Sequence, residues 1–213
     1  MMKIVFATGN KDKLREAQEI LGKRVQLVTP DEVGVTEDLP ETGNSLRANS
    51  LEKAEHIWKK TGMDCFADDT GLEVDMLGGA PGVTTARYAG PGRDSSANID
   101  KLLREMARRE FEASSMRELG LSTQKVEGRK ARFRTSVTLI LGGEKHYFDG
   151  VMEGSIARTR SGEGGFGYDP VFIPDGYGCT VANLDEKEKN AISHRGKALR
   201  AMAEFIKSLP KKA

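Results

Sequence analysis

The residues of this chain best equipped for chemistry lie between Cys65 and Arg87, CFADDTGLEVDMLGGAPGVTTAR, where Asp68 and Asp69 stand side by side. The small and apolar residues ahead of them predict a short strand, and Thr70 and Gly71 predict a turn carrying both carboxylates at its end. The apolar pattern resumes at Leu72, Val74, Met76 and Leu77, and Gly78, Gly79, Pro81 and Gly82 then fold the backbone tightly. Two acids at a strand end, held between buried strands, are placed to hold a metal ion or a water. The rival reading is a solvated surface turn.

Three further stretches carry candidate groups. Lys3 to Thr8, KIVFAT, predicts a strand buried on both faces. Gly9 and Asn10 turn the chain, and Leu14, Ala17 and Leu21 recur at helical spacing over Lys11 to Leu21, with Gly22 as the stop. In a strand, turn and helix of this kind the N–H groups of the first helical turn face the space beyond the strand, an anion site to which Lys11 or Lys13 adds charge. An ordinary capped helix with solvated lysines is the alternative, and no GxxxxGK[ST] motif is present. The run SGEGGFGYDP contains GxGxxG at Gly162, Gly164 and Gly167, but Tyr168, Asp169, Pro170 and the strand-like VFIP follow where a dinucleotide site needs a helix. The loop either displays Phe166 beside Asp169, as a flat heterocycle requires, or buries Phe166 in the core. His194 and Arg195 fall on the first turn of the last helix, where the dipole disfavours each cation by ~0.3 to 1 kcal/mol. A ligand or a nearby aspartate would explain them, and Lys189 belongs to the same question.

The elements that must position these groups follow from pattern. VQLVTP reads as a strand. Ser45 caps a helix reaching about Thr61, with Leu51, Ala54, Ile57 and Trp58 as its buried stripe and Asn49 and Lys53 together on another face. Glu41 stands just ahead of it, either as dipole decoration or as a functional acid. A helix capped near Ser96 buries Ile99, Leu102, Leu103 and Met106, and residues 107 to 130 read as a charged surface excursion. Phe133 to Leu141 alternates, Gly142 and Gly143 turn, and Lys145 to Met152 returns as a hairpin partner with Arg132 and Arg134 on its polar face. Asp185 and Glu188 form a capping box, and Ser193 caps the terminal helix, which turns Leu199, Met202, Phe205 and Ile206 inward.

The 213 residues suit one domain spanning 1 to 213, with a surface insertion at about 107 to 130. With 38% hydrophobic and 31% charged residues and no apolar run of membrane-spanning length, the chain predicts a soluble protein without a membrane partner. MMKIVFATGN enters a strand directly, without a signal-peptide layout, which predicts a cytoplasmic location. Two distant cysteines, Cys65 and Cys179, offer no disulfide framework, and the three histidines lack zinc-ligand spacing with them. The 33 basic and 32 acidic residues are intermixed, which argues against nucleic acid as partner; any anionic ligand is small and met locally.

Together these segments resemble the inosine/xanthosine triphosphate pyrophosphatases, which clear non-standard purine nucleotides. The resemblance runs through ATGNKDKL (7 to 14), PETGNSLRANSLEKA (40 to 54), FADDTGLEVDMLGGAPGVTTARYAG (66 to 90), GGFGYDPVFIP (164 to 174) and EKNAISHRGKAL (188 to 199). It implies a two-lobed α/β fold, with a long mixed central sheet flanked by helices, the active cleft between the lobes, and a homodimer. It further implies that Thr8, Gly9, Asn10, Lys11, Asp12 and Lys13 bind the triphosphate with Lys53 in support. For such a reaction the charges of the lysines and Arg87 would offset the charge that develops on the leaving pyrophosphate. Glu41 and Asp69 would hold Mg2+, Asp69 would also accept the proton, and Asp68 would assist. Thr70 stands where the family has serine or threonine, and Phe166, Gly167, Tyr168, Asp169, Lys189, His194 and Arg195 would form the nucleoside pocket. Departures are the long 107 to 130 stretch and Thr84, where a bulkier residue is usual.

Overall fold

The computed structural model describes residues 2–120 and 128–210. Its strands are β1 (Met2–Phe6), β2 (Val25–Val28), β3 (Cys65–Val74), β4 (Pro81–Gly82), β5 (Lys130–Leu141), β6 (Glu144–Ile156) and β7 (Phe172–Pro174). Its helices are α1 (Lys11–Leu21), α2 (Leu46–Thr61), α3 (Ser95–Glu118), α4 (Glu186–Ile192) and α5 (His194–Ser208). The strands form one seven-stranded sheet in the order β2-β1-β3-β5-β6-β7, with β4 paired to β3. The sheet is mixed: β1 lies parallel to β2 and β3, whereas β4 on β3 and β7 on β6 are antiparallel.

The chain divides into two compact units, one of Met1–Thr70, Arg134–Val151 and Ala191–Ala213, the other of Gly71–Phe133 and Met152–Asn190. The first unit is a sheet covered on both faces, and strand parity decides which face each side chain serves. Ile4 and Phe6 of β1 and Phe66 of β3 pack with Ala17 and Leu21 of α1 and with Leu199, Met202 and Ile206 of α5. Val5 and Ala7, with Cys65 and Ala67, pack instead against Ala54 and Ile57 of α2. Phe6 and Phe66 are fully buried and stacked, with ring centroids 4.2 Å apart. In the second unit Leu72, Val74, Leu102, Met106, Ile156 and Phe172 are fully or almost fully buried.

The predicted caps are present. Ser45 Oγ accepts from the Ala48 N–H at 3.1 Å, Ser193 Oγ from Gly196 N–H at 2.9 Å, and Asp185 Oδ1 from Glu188 N–H at 2.7 Å. Gly142 and Gly143 make the hairpin turn with φ of +57° and +87°, the left-handed pair that a two-residue connection between twisted strands requires.

Three elements differ from expectation. β3 does not end at the aspartates: Asp68, Asp69, Thr70 and Gly71 all lie within the strand, because both carboxylates find cationic partners on the flanking helices and need no turn to reach solvent. On α2 the buried face includes Asn49, Ser50 and Lys53, while Leu51 and Trp58 are only half-buried. The helix α3, capped by Asp94, continues through Glu118, so the first part of the 107 to 130 stretch is helical, with Phe111 73% exposed; residues 121–127 lie outside the described ones. Among the described residues no helix is long and apolar enough to cross a membrane.

β6 comes close to the start of α5 at Gly150, where a Cβ would collide with the His194 carbonyl and come within 2.8 Å of the Ala198 nitrogen. Backbone atoms cannot give way as a flexible side chain can. Gly150→Ala is therefore expected to cost ~1 to 3 kcal/mol of stability, read from urea unfolding midpoints; an unchanged midpoint would show that α5 is free to shift there.

Candidate active site

In the first unit the functional groups collect where β1 and β3 meet the helices. Asn10 caps α1, its Oδ1 accepting the Lys13 N–H at 3.2 Å, and its own N–H donates to Thr8 Oγ1 at 3.2 Å. Thr8 is almost buried, while Gly9, Asn10 and Lys11 are exposed; the side chain of Asp12 lies outside the described ones.

Because 66 and 68 share a strand face, Asp68 points where Phe66 points, toward α1 and α5. Its carboxylate is 1% exposed. Lys13 Nζ lies 3.0 Å from both oxygens, and Arg195 Nε donates to Oδ2 at 2.9 Å. Arg195 Nη1 also donates to Glu16 Oε2 at 3.1 Å. Burial alone would push the Asp68 carboxyl up, but the charges of Lys13, Arg195 and Lys53 outweigh it and hold it well below the usual carboxylate range.

Asp69 shares parity with Ala67 and faces α2. Asn49 Nδ2 donates to its Oδ2 at 2.9 Å, and Asn49 Oδ1 accepts the Gly43 N–H at 2.8 Å, so one amide ties the acid to the segment after Glu41. Lys53 Nζ donates to Glu41 Oε1 at 2.8 Å and to the Asp68 carbonyl at 2.7 Å, and lies 3.8 Å from Asp69 Oδ1. Burial raises the Asp69 pKa above its ordinary value; Lys53 and Asn49 oppose that, and the like charges of Glu41 and Asp68 add to it. A raised carboxylate is a stronger base, and adjacent aspartates thus receive opposite properties from opposite faces of one strand. Thr70 Oγ1 lies 2.7 Å from Thr135 Oγ1. His194 opens α5, directly before Arg195.

In the second unit, Phe166 is 55% exposed, a displayed ring and not a core one. Asp169 Oδ2 accepts the Phe166 N–H at 2.9 Å and the Lys189 ammonium at 2.6 Å, and Lys189 Nζ lies 4.6 Å from the Phe166 ring centroid. Gly167 adopts φ +62°. Tyr168 is buried, its hydroxyl donating to the Thr85 carbonyl at 3.0 Å, two residues before the half-buried Arg87.

The structure therefore joins Lys13, Lys53, Glu41, Asp68, Asp69 and Arg195 in one unit, and Phe166, Asp169 and Lys189 in the other. Glu16 and Asn49 escaped assignment from sequence. Asn49 is legible as a neighbour of Lys53, four residues away on the helix; Glu16 carries no sequence signal of its own. Among the described residues no three or more His, Cys, Asp or Glu are grouped to hold a metal ion; two carboxylates, Glu41 and Asp69, share the ammonium of Lys53.

Comparison with known proteins agrees with this picture. The model of the Ham1 family matches residues 4–205. A dITP/XTP pyrophosphatase of Porphyromonas gingivalis is 46% identical over 206 residues, covering 97% of this chain and 98% of that protein. One of Flavobacterium psychrophilum is 42% identical over 207 residues, covering 97% and 100%. The solved structure of a HAM1 protein from Coxiella burnetii superposes with a TM-score of 0.86 at 35% identity, covering 98% of this chain and 100% of that one. The chain belongs to the Ham1 family.

The two aspartates should separate in stability measurements. Asp68→Asn leaves the buried Arg195 and the half-buried Lys13 short of their counter-charge and is expected to cost ~3 to 5 kcal/mol at neutral pH. Because folding lowers the Asp68 pKa, that deficit is full above its ordinary value of 3.8 and shrinks as pH falls toward the folded value. Asp69→Asn, which removes a carboxylate whose ionisation burial disfavours, is expected to change stability by less than about 1 kcal/mol or to raise it. Urea unfolding at several pH values checks both, and equal losses would contradict the division.

Proposed function

We propose that this protein hydrolyses non-standard purine nucleoside triphosphates, namely ITP, dITP and XTP, to the monophosphate and pyrophosphate, and so cleanses the nucleotide pool. The observation that carries the reading is the seating of Glu41 and the raised carboxylate Asp69 on one ammonium, Lys53, beside the Asn10-capped start of α1. Relatives covering nearly the whole chain at 46% and 42% identity carry the name dITP/XTP pyrophosphatase, which supports the substrate class.

The charges argue for a metal. Lys13, Lys53 and Arg195 set against Glu16, Glu41, Asp68 and Asp69 leave one net negative charge, a set that does not by itself attract a triphosphate of ~4 negative charges. Two hard oxygen donors suit Mg2+, which takes one or two protein carboxylates and completes its shell with waters and substrate phosphates. Glu41 and Asp69 would hold it, and it would supply neutralisation of the phosphate charge when bound.

The chain's own residues do the rest. Thr8 to Lys13 and the first turn of α1 seat the phosphates, with Lys53 in support. Asn49 occupies Asp69 Oδ2, so Oδ1 takes the proton of the attacking water as its oxygen bonds to the α-phosphorus. The bond to the bridging oxygen breaks and pyrophosphate leaves, its charge offset by Lys13 and Arg87. Phe166 stacks the base, and Lys189 under the ring and Asp169 fix that platform. Hypoxanthine and xanthine present an acceptor at position 6 where adenine presents an amine; His194, the neighbouring backbone and whatever of the Arg195 guanidinium its bonds to Asp68 and Glu16 leave available would donate there, at ~1 to 3 kcal/mol per bond lost with adenine. The same reading makes the enzyme a homodimer, as the resemblance implies, and a cytoplasmic protein without nucleic-acid or membrane partners, as its intermixed charges and N-terminal sequence predict.

Incubation with ITP, XTP, GTP and ATP, with and without Mg2+, tests this directly. Pyrophosphate is expected from ITP and XTP, with Mg2+ required and ATP left largely intact, and Asp69→Asn should lower kcat by roughly 10²- to 10⁴-fold. Orthophosphate as product, comparable use of ATP and ITP, or near wild-type turnover by the variant would overturn the assignment.

A further inference from the structure

The segment carrying Arg87 is a short 3-10 turn, Thr85–Arg87, followed by Tyr88 to Gly90. Such a turn has few internal bonds to hold it, yet here its backbone is captured from outside at successive residues. Asn98, on the first turns of α3 and 3% exposed, donates from Nδ2 to the Ala86 carbonyl at 3.0 Å and accepts the Ala89 N–H on Oδ1 at 2.6 Å. A carbonyl only accepts and an amide N–H only donates, so these two partners fix which way the Asn98 amide faces. One planar group thus spans the chain from 86 to 89, with Arg87 and Tyr88 inside the span.

The neighbours reinforce it. Lys101 Nζ donates to the Tyr88 carbonyl at 2.8 Å and lies 4.3 Å from the centroid of the Tyr88 ring, and the Tyr88 hydroxyl donates to Glu105. On the other side Thr85 Oγ1 accepts the Leu72 N–H at 2.8 Å and donates to the Gly82 carbonyl at 2.6 Å, while Tyr168 holds the Thr85 carbonyl. Asn98, Lys101 and Glu105 lie on one face of α3 by helical spacing, and they hold the polypeptide immediately around Arg87.

We propose that Asn98 is a positioning residue of the active site, which acts through Arg87 by clamping the backbone on both sides of it. The inference rests on the reading above, in which Arg87 meets the leaving pyrophosphate. A guanidinium on a long side chain gains orientation only if its own Cα is fixed, and displacement of such a group by about 1 Å can cost on the order of 10²-fold in rate.

A double-mutant cycle on the full chain, with ITP and Mg2+, tests it. Asn98→Ala should lower kcat/KM by roughly 10- to 100-fold in the wild-type background but by less than about 2-fold in an Arg87→Ala background, because a clamp on a residue no longer present has nothing to position. A merely structural role would cost the same factor in both backgrounds, and that result overturns the proposal. If Asn98→Ala does not fold, Asn98→Asp has the same shape, keeps the acceptor for Ala89 N–H and loses the donor to Ala86; it should show the same dependence on Arg87. Arg87→Ala with wild-type kcat/KM, in a chain that hydrolyses ITP, overturns the clamp while leaving the reaction class intact. A wild-type chain that leaves ITP uncleaved removes the reading itself and the clamp with it.

Discussion

The first unit depends on a buried carboxylate. Asp68 sits at 1% exposure in the middle of a strand, a place where an unpaired charge would be intolerable, and its partners come from α1 and α5, elements far apart in the chain. Lys13 lies one turn into α1, and Arg195 follows the Ser193 cap of α5. Each helix can reach Asp68 only with its first turn aimed at the same point on β3. The ion cluster thereby fixes where the two helix starts lie on the sheet, a specificity that the apolar contacts of Phe66, Ala17 and Leu199, being non-directional, do not provide.

The neighbouring position uses the opposite face for a different end. Asp69 meets α2 along a buried side that is polar, with Asn49 on its carboxylate, Lys53 nearby, and Ser50 hydrogen-bonded to Thr138 of β5 at 2.8 Å. A helix usually buries an apolar stripe. Here the stripe gives way to amide, hydroxyl and ammonium groups, all with partners, and the acid they surround is held with a raised pKa. A single strand thus places an ion-paired carboxylate on one face and a carboxylate with a raised pKa on the other.

Much of this was legible from residue order. The caps at Ser45, Asp185 and Ser193, the Gly142 and Gly143 turn and the boundaries of α1 follow from local chemistry, and local chemistry is what a sequence displays directly. The turn expected at Asp68 and Asp69 fails for a reason that lies outside that window: adjacent carboxylates argue for solvent only until Lys13, Lys53 and Arg195, from 55 residues before to 127 residues after, are known to neutralise them. The same applies to α2, whose period predicted Leu51 and Trp58 as core because burial of Asn49 and Lys53 makes sense only once Asp69 is placed against them. Glu16 and Asn98 are silent in the sequence because the partners of each lie on other elements: Arg195 of α5 for Glu16, and the backbone at Ala86 and Ala89 for Asn98. For Phe166 residue order allows either display beside Asp169 or burial in the core, and the 55% exposure of the ring decides for display; that Lys189 joins the pair is seen only in the fold.

In the proposed reaction the water meeting Asp69 attacks the α-phosphorus and not one further along the chain of phosphates. Hydrolysis of ITP in water enriched in oxygen-18, with mass analysis of both products after a single turnover, tests it most directly. The label is expected in the phosphate of the nucleoside monophosphate, with unlabelled pyrophosphate. Label in the pyrophosphate would mean attack at the β-phosphorus, and the placement of Asp69 as the base beside the α-phosphorus would be contradicted.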